Sequence, residues 1–408
     1  MNLIKAFIAL FIVKLVAIHG GAPALASMSN YQNLIGFLAL FLTLSTSTGL
    51  TVLSSKAKLD NNPLLTSLRL VLVFTPLIFL GTWFSSKIIV LENDWLTPID
   101  YFFYASLVIV PFSVNILLVA YQVALQKYIN ILINYILVGI VPVTYFVYPD
   151  QIFSLETLLL SICVGNWAGV IFLLRRVDLK LSAIFTKKID SGILKELLRF
   201  GLMSGALGLM ASTIMVATRH YLSKDISLDA AGQWDALLKI GVLFQFVVSA
   251  PILTTALPLM VKVIDSRTSE ITSLLKSRVR PLLLLIAVSI FASDLFSNEI
   301  ILLLYTSDFN LVAGLIGIIV LSEGFRSIGG LCILVPIANK QLSVVILINC
   351  VFSGLILVGV VELSNNNAVT VENIAWLYLF SSAIFCLAAV TWLTVWLKKR
   401  PNNDSVSD

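Results

Sequence analysis

The sequence predicts an all-α integral membrane protein with about twelve transmembrane helices, and three observations predict it. The 408 residues are 59% hydrophobic and 12% charged, with a mean hydropathy of +0.99, far outside the range of a soluble domain. Twelve apolar runs reach the roughly 17 to 25 residues that cross a bilayer. The basic residues gather in alternate links between those runs, as they do where links face the cytoplasm.

Taken in order, the runs lie at 3–19, 33–53, 68–91, 101–125, 129–148 and 153–174, then at 194–218, 233–260, 281–298, 309–336, 342–362 and 373–397. The first, FIALFIVKLVAI, is interrupted by Lys14 and lacks a small-residue cleavage site, which predicts a retained helix and no cleavable signal peptide. The links after the even-numbered runs, together with both ends, hold 21 of the 27 Lys and Arg residues, among them Arg175, Arg176, Lys187, Lys188, Arg278, Arg280, Lys398, Lys399 and Arg400. The opposite links are neutral or acidic, as in ENDWLTPID at 92–100 and ELSNNNAVTVEN at 362–373. Both termini are therefore expected in the cytoplasm. The net charge of +5 is then a topology signal with affinity for membrane lipids of an anionic inner leaflet, and nucleic acid is not an expected partner.

The external links are no longer than roughly a dozen residues, too short for a folded domain. The longest cytoplasmic stretches, 175–193 and 262–280, alternate basic and apolar residues and are expected to lie as amphipathic segments on the membrane surface. Phosphate-loop, HExxH and GxSxG patterns are absent. Cys163, Cys332, Cys350 and Cys386 fall in spans and read as packing residues, and His19 and His220 are too few to hold an ion. No catalytic residue, metal or cofactor is expected, and the helices themselves must do the work.

Ionisable residues inside spans carry the functional signal, since each costs about 2.5–3.5 kcal/mol at mid-bilayer on insertion scales. Lys14, Arg219 in TIMVATRHYL, Asp235 and Lys239 in GQWDALLKIG, and Glu323 and Arg326 in VLSEGFRSIGG are such residues. Spacings of i,i+4 and i,i+3 put Asp235 beside Lys239 and Glu323 beside Arg326 on a helix face. Two readings stay open: each pair either serves function or only makes the charges insertable, and Arg219 either works inside or snorkels to the interface.

Several of these residues sit in motifs. KLVAIHGGAPALASMSNYQNLIGFL resembles the first-helix signature of bacterial O-antigen and polysaccharide-repeat flippases. LLRFGLMSGALGLMASTIMVATRHYLSKDISLDAAGQWDALLKIGVLFQF resembles that family's seventh and eighth helices, ALPLMVKV its LLPxLS segment, and LSEGFRSIGGLCILVPIANK its acidic residue, basic residue and closing NK. The chain departs in having only thirteen residues before Lys14, GGAPALA for the usual GPAGLAL, and Asp235 where Gln is frequent.

The resemblance implies membership of the multidrug, oligosaccharidyl-lipid and polysaccharide exporter superfamily, with two pseudo-symmetric six-helix bundles. Their expected bounds are 1–174 and 194–400, joined by a cytoplasmic linker at 175–193 and followed by a tail at 401–408. It implies a flippase of the bacterial inner membrane that moves an undecaprenyl-diphosphate-linked oligosaccharide by alternating access, with a repeat-unit polymerase and a chain-length regulator as partners. On that reading Lys14, Arg219, Lys239 and Arg326 line a cationic cavity for the diphosphate. Asp235 and Glu323 pair Lys239 and Arg326 when the cavity is empty, or couple an ion. Trp234 stacks on sugar or gates the cavity, or it is an interfacial anchor. Gly201, Gly205, Gly208, Pro251, Pro258, Gly329 and Gly330 either bend helices or pack them closely. A drug or cation antiporter of the same superfamily is the leading alternative, and a membrane glycosyltransferase or polymerase a weaker one.

Overall fold

The computed structural model describes the chain apart from residues 1, 57–60, 90–96, 148–154, 178–182, 187–189, 250–251, 254–255, 257–258, 261–262, 265–267, 340 and 401–408. Among the described residues the secondary structure is helical, with no strand. The chain divides into two compact units, Leu3–Val216 and Ala217–Asp408.

The first unit contains α1 (Asn2–Leu42), α2 (Ser47–Lys56), α3 (Asn62–Ile89), α4 (Pro98–Ala124), α5 (Tyr128–Val147), α6 (Leu155–Arg176), the short α7 (Ala183–Thr186) and most of α8 (Ser191–Asp225). The second unit takes the end of α8, then α9 (Leu228–Phe244) continued by a π-helical turn (Gln245–Ser249), α10 (Thr268–Leu295), α11 (Ser297–Leu304), a 3-10 segment (Ser307–Leu315), α12 (Ile316–Ala338), α13 (Leu342–Asn365) and α14 (Val371–Lys399).

Apart from short turns, the described residues of the twelve predicted spans are helical. Among the described residues nine helices are long and apolar enough to cross a membrane, and ten if the bent pair α10 and α11 is one span. Three boundaries differ from the sequence reading. Residues 20–32, expected as an outer link, are helical, and only Gly21, at φ 65°, breaks the track. Glycine takes that left-handed geometry without a Cβ penalty. Pro23 follows in the first turn after the break, where a missing N–H costs nothing. The second predicted span is broken at 43–46, where Leu44 and Ser45 both have positive φ and Thr43 and Thr46 hydroxyls donate to the carbonyls of Ala39 and Thr43 at 2.7 Å. Residues 268–280, expected as a surface segment, are the opening turns of α10, and the chain then turns through 84° into α11.

In the first unit α4 packs on α2, α3 and α6, and α5 on α6. Its interior polarity is neutral: the amides of Asn115 and Asn134 donate to each other's oxygens at 3.4 and 3.0 Å, and Tyr31 donates to the Tyr104 carbonyl at 3.0 Å. Gly201, Gly205 and Gly208 of α8 lie against Leu44, Ser45 and Leu40, so the structure favours the close-packing reading of these three. Gly329 likewise abuts Phe385. Pro251 and Pro258 lie outside the described residues.

In the second unit α12 is the central helix, packing on α14, α10, α9 and α13. The facing sides are apolar: Ile319, Val320, Leu331 and Val335 of α12 are buried, as are Ile374, Ala375, Phe385 and Ala389 of α14. The outer sides of α13 and α14 carry Leu347, Val358, Phe380 and Leu387 exposed, as expected of helices whose outer surface meets lipid.

Candidate functional site

Among the described residues, the buried ionisable side chains Arg219, Asp235 and Glu323 all belong to the second unit. Ser227 starts the construction. It caps α9, its hydroxyl accepting from the Ala230 amide at 3.2 Å, and the hydrogen bond fixes where the helix begins. From that cap, Trp234, Asp235 and Lys239 follow at fixed helical angles. Gly241 then lets α9 approach α12 closely: a Cβ there would lie 3.0 Å from Ile319 Cγ2 and 3.1 Å from Glu323 Cγ.

Asp235 does not pair with Lys239 as the spacing led one to expect. Its carboxylate binds Arg219 from the end of α8, Nε to Oδ1 at 2.5 Å, with side chains only 5% and 2% exposed. Arg219 therefore does not snorkel to an interface. The reason is geometric: an i,i+4 partner offers a flexible ammonium, whereas the neighbouring helix offers a planar guanidinium with several fixed donors. The Lys239 ammonium is itself buried and makes no hydrogen bond.

Glu323 and Arg326 do pair as their spacing predicts. Arg326 Nη1 lies 2.9 and 3.2 Å from the two Glu323 oxygens. Around them is a set of groups that charge spacing did not reveal. Tyr378 of α14 donates to Glu323 Oε1 at 2.7 Å, and its oxygen accepts from Arg326 Nη1 at 2.6 Å. The Gln245 amide donates to Glu323 Oε2. Gln245 opens the π-helical turn, a local widening that shifts side-chain register and recurs at functional sites. Ser249, at the end of the same turn, shares a hydrogen bond with Ser327, whose hydroxyl also donates to the Glu323 carbonyl at 2.6 Å. The Arg326 guanidinium stands 5.2 Å from the centre of the Phe352 ring and 5.8 Å from that of Tyr378, within the range of cation–π attraction.

Trp234 links the two charged groups. Its ring meets Tyr378 edge-on at 5.9 Å and its Nε1 donates to Thr218 Oγ1, beside Arg219, at 3.3 Å. At 1% exposure it is neither an interfacial anchor nor a free stacking face in this conformation. Lys14, the remaining predicted cation, is half-buried on α1 in the first unit. The four cations are thus divided one and three between the units.

The second unit's network holds three cations, Arg219, Lys239 and Arg326, against two carboxylates, Asp235 and Glu323. Both carboxylates are engaged by guanidinium groups, and Glu323 also accepts from Tyr378 and Gln245. What remains is positive, a polarity that welcomes an anion. Among the described residues no group of His, Cys, Asp and Glu is arranged to hold a metal ion.

No protein-family model matches this chain, and no curated protein sequence does. Solved structures do. A multidrug resistance MATE family transporter of the MOP superfamily in an inward-facing conformation superposes with a TM-score of 0.73 at 11% identity, covering 100% of this chain and 96% of that one. An outward-facing conformation of such a transporter matches with a TM-score of 0.70 at 12% identity, covering 98% and 94%. A MOP superfamily transporter from Pyrococcus furiosus, described as having a binding pocket of reversed polarity, matches with a TM-score of 0.70 at 14% identity, covering 97% and 94%. At these identities the likeness is one of fold, and the chain is folded over its whole length as the MATE transporters of the MOP superfamily are.

Proposed function

We propose that this chain is a transporter of the MOP superfamily type whose substrate carries an anionic head group, and that it flips a polyprenyl-diphosphate-linked oligosaccharide for surface polysaccharide assembly. The observation that carries the reading is the excess of cations over carboxylates in the second unit's charge network, with both carboxylates already engaged. A diphosphate and a hydroxyl-rich sugar cannot enter hydrocarbon unaided. Fixed guanidinium and ammonium groups replace the water they lose. The polyprenyl tail needs no such service and can stay in the lipid. Similarity to both inward- and outward-facing solved conformations supports alternating access as the mode of transport. A fold that elsewhere accommodates a pocket of reversed polarity is compatible with an anionic cargo.

A second reading, export of drugs or cations by antiport, is favoured by the likeness to multidrug resistance transporters. The two separate in proteoliposomes. The purified chain is expected to move a short-chain polyprenyl-diphosphate disaccharide between leaflets and to leave a cationic dye where it is. Lys239→Ala is expected to abolish the flipping while the protein remains abundant and monodisperse. Dye transport without diphosphate flipping establishes the antiport reading instead.

A further inference from the structure

Glu323 and Arg326 form an ion pair whose two halves are supported separately. The Glu323 side chain is only 3% exposed. Its carboxylate takes donors from three helices' worth of chain: Arg326 Nη1 on α12 itself, at 2.9 and 3.2 Å, the Tyr378 hydroxyl of α14 at 2.7 Å, and the Gln245 amide from the π-helical turn after α9. Take Arg326 away and each oxygen still has a donor, Tyr378 on Oε1 and Gln245 on Oε2.

Arg326 is placed differently. Its side chain is 32% exposed. Glu323 and the Tyr378 oxygen engage Nη1 alone, and the remaining guanidinium donors, on Nε and Nη2, make no hydrogen bond among the described residues. The rings of Phe352 and Tyr378, 5.2 and 5.8 Å away, hold the group by its faces without help from the carboxylate. No further charge is bonded to the pair. On α9, Asp235 is held by Arg219, and Asp229 and Lys239 bond to neither Glu323 nor Arg326. The charged residues of α13 and α14 stand near helix ends, at Glu362, Glu372, Lys398 and Lys399. α10 meets Gly324 with Ile286, and its nearest charges along the chain, Arg280 and Asp294, are six and eight residues from that contact.

Parting a buried ion pair is costly because it leaves a bare charge in a medium of low dielectric. Neutral donors that stay behind on the carboxylate lower that cost. We propose that Tyr378 and Gln245 are positioning residues for the cargo, which keep Glu323 hydrogen-bonded when the cargo's anionic head group draws Arg326 away from it. The inference rests on the reading of the cargo as a diphosphate. The diphosphate meets the free Nε and Nη2 donors, in the fork that a guanidinium offers to phosphate, and then competes with Glu323 for Nη1. Tyr378 and Gln245 thereby set how tightly the head group is held, acting through Glu323.

The test is a double-mutant cycle on the full chain in detergent, with farnesyl diphosphate as the probe, farnesol as its uncharged control, and affinity read by isothermal titration calorimetry. The unaltered chain is expected to prefer farnesyl diphosphate to farnesol. Tyr378→Phe keeps the ring beside Arg326 and removes the donor to Glu323. It is expected to weaken diphosphate binding about fivefold or more, the scale of one hydrogen bond to a charged group, and Gln245→Met, which removes the other donor, is expected to do the same. In a Glu323→Gln background the carboxylate no longer competes for Arg326, so there Tyr378→Phe is expected to leave the affinity unchanged. Equal binding of the two probes by the unaltered chain overturns the diphosphate reading and this inference with it. A preference for the diphosphate that neither Tyr378→Phe nor Gln245→Met weakens overturns the inference alone. So does a loss on Tyr378→Phe that persists in Glu323→Gln, because Tyr378 then does not act through the carboxylate. Size-exclusion profiles and melting of each variant separate lost binding from lost folding, and Gln245→Met carries the test if Tyr378→Phe does not fold.

Discussion

Replacing Asp235 with Asn keeps the side-chain volume and removes one charge, and the structure fixes what that charge was balancing. Its carboxylate meets Arg219 at 2.5 Å with both side chains at most 5% exposed, so solvent screening does not dilute the loss. Lys239, four residues on along α9, loses the acidic group nearest to it in the helix. Removing one partner of a buried pair costs about 3–5 kcal/mol, and because Arg219 and Lys239 both lose that carboxylate Asp235→Asn belongs at about 5. Arg219→Gln is the milder change, because the freed carboxylate still has Lys239 one turn away on its own face. Its expected cost is about 2 kcal/mol, between an i,i+4 replacement and a fully orphaned charge. The double variant Arg219→Gln with Asp235→Asn removes a neutral pair and is expected to be more stable than Asp235→Asn alone. Adding Lys239→Gln to Asp235→Asn is expected to recover part of the loss. Equilibrium unfolding in mixed dodecylmaltoside and dodecyl sulfate micelles, followed by circular dichroism, orders the variants. If Asp235→Asn is no less stable than Arg219→Gln, the carboxylate does not balance Lys239 as well as Arg219.

Three further tests follow from the charge network and the topology. Arg326→Lys should retain part of the transport activity and Arg326→Gln should lose most of it in the proteoliposome assay, because a cation near Glu323 matters more than the planar contacts to Tyr378 and Phe352. The double change Glu323→Gln with Arg326→Gln removes both charges together, and normal flipping by that protein would exclude Arg326 from substrate binding. Reporter fusions after residues 96, 150 and 367 should report the external side and those after 185, 270 and 404 the cytoplasm, since the basic links alternate in that way; a cytoplasmic signal at 367 would refute an even number of spans.

The sequence by itself determined the class of molecule and the places where chemistry can happen. Hydrocarbon demands long apolar helices, so each span announces itself through composition alone. The same medium makes Arg219, Asp235, Lys239, Glu323 and Arg326 conspicuous, because an ionisable group is expensive there. The Glu323–Arg326 pair was legible as well, both partners lying on one helix at a spacing that geometry dictates. What tertiary structure alone decided is which partners win when helices compete. Asp235 turned to Arg219 because α8 ends beside α9, a fact carried by packing and by no local spacing. Tyr378, Gln245 and Ser249 join the Glu323 network from sequence positions 55, 78 and 74 residues away, and as uncharged residues in apolar runs they left no mark in the composition. The π-helical turn that turns Gln245 and Ser249 toward α12, and the left-handed Gly21 that joins two stretches of α1, are likewise backbone choices made by the packed chain. Hydrophobicity reports only what must avoid water; which buried polar group finds which other depends on how the helices pack.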